Sequence, residues 1–74
     1  MNTRIYSKSS FNQVLDETLY QAYQDGIRSI DYLLLFPVNE QEKDHLITQV
    51  KNYDVVLDAK WRFGTVMFTA YIKH

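Results

Sequence analysis

The sequence predicts an α+β fold, with elements in the order β-α-β-α-β-β and two helices on one face of a mixed four-stranded sheet. Three observations lead there. Two stretches, Ser10 to Gly26 and Asn39 to Lys51, place apolar residues at helical spacing behind a capping pair. The run Ile27 to Phe36 between them is the most apolar in the chain. From Tyr53 to Lys73, apolar and polar residues alternate around a glycine-containing turn. With 74 residues and no linker, repeat or low-complexity segment, the chain makes one domain, 1–74.

Taken in order, Thr3 to Ser7 puts Ile5 and Tyr6 on opposite faces of a short first strand. Ser10 and Gln13 stand three apart, as a capping box requires, and open the first helix. Phe11, Val14, Leu15, Thr18, Leu19 and Ala22 form its core-facing stripe. Gly26 suits the left-handed residue that ends a helix, with Ile27 folding back on the last turn. In the next strand Ile30, Tyr32, Leu34 and Phe36 share one face and Ser29, Asp31, Leu33 and Leu35 the other. That second face turns apolar halfway along, which predicts cover on both sides of the later half. Pro37 ends the strand.

Asn39 and Glu42 repeat the capping arrangement, and Glu40, Glu42 and Asp44 favour the positive end of a second helix. Leu46, Ile47 and Val50 make its stripe. The hairpin then sets Tyr53, Val55, Leu57, Ala59 and Trp61 inward on one strand. After a turn near Arg62 to Gly64, Val66, Phe68, Ala70 and Ile72 follow on the other. The first β-α-β unit should be a right-handed parallel crossover and the final pair antiparallel. Two helices cover one sheet face only. Tyr6, Tyr32, Met67 and Tyr71 are the expected contacts of the uncovered face, a natural dimer or partner surface.

Composition narrows the function classes. A chain of this length buries roughly 60% of its unfolded surface, so its core alone is marginal. The absence of cysteine excludes disulfides and thiolate metal sites. His45 and His74 are far apart, so a metal would need scattered carboxylates, and no metal or cofactor is expected. Self-association remains as reinforcement, and a homodimer is expected. Eight basic against nine acidic residues leave a net charge of −1, without the positive excess of a general nucleic-acid binder. Direct nucleic-acid binding is therefore not expected. Met1 to Lys8 lacks the apolar core of a signal peptide and no run reaches transmembrane length, which points to a cytoplasmic protein without a membrane partner.

No catalytic constellation is visible. A nucleophile needs a neighbouring base and an orienting group, and the one internal histidine, His45, sits on a presumed helix beside Asp44, where adjacent side chains diverge. Two isolated glycines cannot make a phosphate loop. The protein is not expected to be an enzyme. Lys60-Trp61-Arg62-Phe63, with Lys73 across the hairpin, joins positive charge to rings as single-strand binding surfaces do. Against this, Trp61 alternates with the inward set. Acidic residues gather on presumed solvent faces: Asp16, Glu17 and Asp25 on the first helix, Glu40, Glu42 and Asp44 on the second, and Asp54 and Asp58 at the hairpin. Helix-end electrostatics and solubility explain much of this pattern. A surface that meets a basic partner would use the same residues.

Two resemblances bear on that partner. Tyr32-Leu33-Leu34-Leu35-Phe36 resembles the Gln-Leu-Ser/Asp-Leu-Phe peptides that grip bacterial sliding clamps, matching at Leu33, Leu35 and Phe36 and departing at Tyr32 and Leu34. Flanking helices and strand alternation assign these side chains to the core, so use as a free peptide is not expected. In length, lack of cysteine, aromatic richness and compactness, the whole chain resembles the small host-takeover proteins of staphylococcal phages, in particular the Twort-type inhibitors of the bacterial DNA sliding clamp. That resemblance implies a dimer in the host bacterial cytoplasm that binds the clamp, occupies its DNA channel and blocks loading, arresting replication. The alternative is a small nucleic-acid-binding regulator that uses the basic-aromatic hairpin.

Overall fold

The computed structural model describes residues Met1 to His74 and has the α+β architecture expected. Strands β1 (Asn2–Ile5), β2 (Ser29–Leu34), β3 (Val56–Arg62) and β4 (Met67–Ile72) form one mixed sheet in the order β1-β2-β4-β3. β1 and β2 are parallel, and β4 pairs antiparallel with both β2 and β3. Helices α1 (Phe11–Gln24) and α2 (Glu40–Lys51) pack on one face.

The two helices begin differently although their sequences promise the same cap. Asn39 has extended backbone (φ −89°, ψ 173°), and its side-chain oxygen accepts the Glu42 amide at 2.8 Å. Ser10 is already helical (φ −93°, ψ −2°) because a 3-10 turn, Lys8–Ser10, leads into α1. Its hydroxyl points back and donates to the Ser7 carbonyl at 3.0 Å, while the Gln13 amide goes to Glu17. The expected Ser10–Gln13 capping box is therefore not made, since capping requires extended backbone at the cap. At the other end of α1, Gly26 takes φ 72° and the Ile27 amide donates to the Ala22 carbonyl at 2.9 Å, closing the helix as expected.

The core lies between helices and sheet and centres on Phe68. Tyr32 stacks on it with ring centroids 4.8 Å apart, Trp61 meets it edge-on at 5.5 Å and Phe11 approaches at 6.0 Å. Leu15, Leu19, Ile30, Ile5 and Val50 are fully buried around this cluster. Each such side chain contributes ~1.5–3 kcal/mol by leaving water. Two polar bonds tie the aromatics to the helices. The Thr18 hydroxyl donates to the Val14 carbonyl at 2.6 Å and so accepts from Tyr32 Oη at 2.5 Å, and Trp61 Nε1 donates to the Lys43 carbonyl at 3.2 Å.

Four expectations about the strands need correction. First, β2 is covered on one face only: Leu33 is half-buried and Leu35 is 47% exposed, because both helices take the Ile30–Tyr32–Leu34 face. Second, Tyr32 belongs to that covered face and is fully buried, so it cannot be an open-face contact. Third, a register shift between Val56 and Asp58 resets the alternation of β3. Val56 and Ala59 turn inward and Leu57 is left 68% exposed, where strict alternation buries it. Fourth, Tyr53 falls in the turn before β3, and Val66, 49% exposed, falls in the turn before β4.

Candidate functional site

Strand pairing sorts the ionisable residues by layer. Six of the nine acidic residues belong to the helix layer: Asp16 and Glu17 in α1, Asp25 at its end, and Glu40, Glu42 and Asp44 in α2. On the uncovered sheet face, register places Arg4, Leu33, Met67 and Arg62 in one cross-strand row and Asp31, Thr69 and Lys60 in the next. The near-neutral total thus conceals a helix side rich in carboxylates and a sheet side with more cations than anions.

The eight acidic residues expected to meet a partner do not form one patch. Asp16 and Asp54 come together in a shallow groove between α1 and the end of α2, lined also by Tyr20, Gln49, Asn52 and Tyr53. Tyr53 Oη donates to Asp16 Oδ1, and its ring lies 6.0 Å from that of Tyr20. Burial first, and the adjoining Asp16 carboxylate second, push the Tyr53 phenol well above the ordinary tyrosine range. The phenol therefore stays neutral and serves as the donor to Asp16. At the start of α2, Glu42 pairs with Lys8 from the turn before α1, and that bond holds its carboxyl below the usual carboxylate range. Glu40 lies 3.7 Å from Lys43. Asp44 and Asp54 are exposed and lack an ion pair. Glu17 and Asp25 accept side-chain amides from Gln13 and Gln21. Asp58 lies on β3, where Lys51 approaches at 3.7 Å, away from the groove.

Of the expected open-face residues, Met67 and Tyr71 are on that face and half-buried, and Tyr6 follows β1 at 68% exposure. Tyr32 is replaced there by Leu33. A hydrogen-bonded chain stiffens the face: Arg62 Nε donates to Thr69 Oγ1 at 2.9 Å, Thr69 donates to Asp31 Oδ1 at 2.6 Å, and Arg62 Nη2 donates to Tyr71 Oη at 2.6 Å. A small pocket of about 230 Å³ opens beside it between β1 and β2, with Arg4, Asp31, Leu33 and Met67 in its walls.

Tyr20, Gln49 and Tyr53 are groove residues that sequence reasoning missed. Tyr20 did carry a signal, an aromatic on the polar side of an amphipathic helix. Tyr53 was hidden by an alternation pattern that begins three residues before the strand does. The basic-aromatic hairpin is also smaller than its sequence suggests. Trp61 turns into the core, and the Lys73 amide donates to the Val55 carbonyl at the end of the hairpin opposite Lys60 to Phe63. The clamp-peptide segment is divided: Leu33 and Leu34 pair within β2, Leu35 is exposed and Phe36 packs on the core. It cannot be presented as a linear peptide without opening the sheet.

His45 is exposed on α2, while His74 stacks on Tyr23 and bonds the Ile27 carbonyl through Nε2 at 2.8 Å. No three or more histidine, aspartate or glutamate side chains gather to hold a metal ion, and no helix is long and apolar enough to cross a membrane. The arrangement offers a carboxylate-rich helix side and a sheet side with more cations than anions. No family model, curated protein or solved structure matches this chain.

Proposed function

We propose that this protein is a non-enzymatic binding module whose helix side docks a basic protein surface, and that its partner is the bacterial DNA sliding clamp. In this reading it enters the channel through which DNA passes, blocks clamp loading and arrests replication in the host cytoplasm. The observation that carries the reading is the collection of six carboxylates on the helix layer, one of which, Asp16, shares a groove with Asp54, in a chain whose net charge is only −1. A channel built to hold DNA is lined with positive charge, and a surface of this kind would be steered to it and oriented by it. The uncovered sheet face, with Tyr6, Leu33, Met67 and Tyr71, is the proposed homodimer contact.

Co-elution with purified sliding clamp tests the reading. Wild-type protein should travel with the clamp, and the complex should weaken with rising salt. Reversing Glu17, Asp44 and Asp54 to lysine together should abolish co-elution without unfolding the chain, since none of the three is in an ion pair. Absence of any complex with the clamp removes the proposed partner. A complex indifferent to the triple reversal removes the acidic surface as the contact. Light scattering at micromolar concentration reports the dimer, and a monomeric mass would exclude it.

A further inference from the structure

The tip of the β3–β4 hairpin contains a residue that neither the turn nor the core requires. Phe63 and Gly64 are consecutive residues with positive φ, 55° and 71°. A bulky side chain is crowded in the left-handed region, where glycine, asparagine and aspartate are favoured. Phenylalanine is a poor choice here. It gains nothing by burial, since its ring is 80% exposed, the highest value among the large hydrophobic residues. It lies outside the core cluster and pairs with no other ring. A strained backbone that presents an unburied ring marks a contact site.

The ring's surroundings identify the chemistry of what it meets. Lys60 and Arg62 precede it on the uncovered sheet face, and Arg4 lies in the same cross-strand row as Arg62. None of the three cations is in an ion pair. The anions of that face are already engaged, Asp31 by the Thr69 hydroxyl and Asp58 by Lys51. Arg62 is held in place by Thr69 and Tyr71 through Nε and Nη2, and its remaining N–H donors have no partner within the chain. An exposed ring next in sequence to unpaired cations suits a flexible polyanion that carries flat apolar groups. We propose that the hairpin tip binds single-stranded nucleic acid, with Phe63 stacking on a base and Lys60 and Arg62 meeting its phosphates. This site lies across the sheet from the acidic helix side and does not depend on it; it shares the uncovered face with the proposed homodimer contact, so dimer formation and oligonucleotide binding compete there. It also reverses the expectation drawn from net charge, because the charge that matters is that of one face.

The test is fluorescence anisotropy of labelled oligothymidine and oligouridine titrated with wild-type protein, Phe63→Asn and Lys60→Gln, at several salt concentrations. Wild-type protein should bind, with log affinity falling against log salt at a slope of about −1.4 for two phosphate contacts. Phe63→Asn should weaken binding by roughly tenfold or more, the range of one lost stacking contact. The same variant should raise Tm by a few degrees, because asparagine tolerates the left-handed backbone. Lys60→Gln should flatten the slope by about 0.7. A preference between the two oligonucleotides would distinguish DNA from RNA as the ligand. Failure of wild-type protein to bind either, or equal binding by Phe63→Asn, overturns the proposal, as does a fall in Tm. Loss of clamp binding in Phe63→Asn without oligonucleotide binding would assign the ring to a protein contact and overturn it equally. Clamp binding and oligonucleotide binding are read separately, so either can fail alone.

Discussion

The two faces of the same four strands have opposite characters. On the helix side, Ile5, Ile30, Tyr32, Phe68 and Ala70 are entirely buried. On the other side, Leu33, Met67 and Tyr71 are half-buried, and Leu35 beyond the end of β2 is 47% exposed. Leu33 and Leu34 are adjacent and chemically identical, yet only Leu34 joins the core. Strand alternation divides side chains between two faces. Which face becomes the interior depends on where the helices land. One face therefore holds the molecule together, and the other is available for binding.

The comparison is sharpest at the centre of the covered face. Phe68→Ala removes the ring that Phe11, Tyr32 and Trp61 share, and should cost ~3–5 kcal/mol. A domain of this size is stable by only ~4–11 kcal/mol, so the variant should lose a large share of its stability and melt at a clearly lower temperature by circular dichroism. A loss below ~1 kcal/mol would show that the helix side is not the core. Leu33→Ala, one residue from Leu34 but on the uncovered face, should cost clearly less in the same measurement.

The next effect is alkaline. Burial pushes the Tyr32 phenol up to about 12, and the Tyr53 phenol is also raised. The unfolded chain releases these protons near pH 10. Stability from the neutral phenols is complete below that pH and is lost as pH rises from about 10 through 12. Tyr32→Phe should narrow the alkaline loss while costing about 1 kcal/mol at neutral pH through the lost Tyr32–Thr18 hydrogen bond, with the Thr18 hydroxyl still bonded to the Val14 carbonyl. Thermal melts between pH 8 and 12 report both, and an unchanged alkaline profile would place the titrating group elsewhere. The smallest effect belongs to Leu35→Ser, expected within ±0.5 kcal/mol of wild type. If it also makes a wild-type dimer monomeric, the uncovered face is the dimer contact.

Much of this was legible in the chain. Asn39 and Glu40 to Lys51, the stripe Phe11, Leu15, Leu19 and Ala22, and the Gly26–Ile27 terminus all follow from local rules that act within one or two helical turns. The candidate site was less legible. Asp16 and Asp54 were recognisable as exposed carboxylates, but nothing local says that they share a groove with Tyr20 and Tyr53. Leu57 departs from strict alternation because the shift between Val56 and Asp58 resets it, and a bulge has no composition of its own; Tyr53 departs because the alternation starts before the strand does. The Ser10 cap failed because the preceding 3-10 turn had already set the backbone.

By itself, then, the sequence determined the element order, the helix stripes and the antiparallel closing pair, since periodicity and turn chemistry act between near neighbours. Tertiary structure decided which sheet face is buried, where the carboxylates gather, and that Trp61 is interior while Phe63 is exposed. Those outcomes rest on contacts between residues distant in the chain. Burial of the Tyr32 face against both helices is what leaves Leu33, Arg62 and the hairpin tip free to meet a partner.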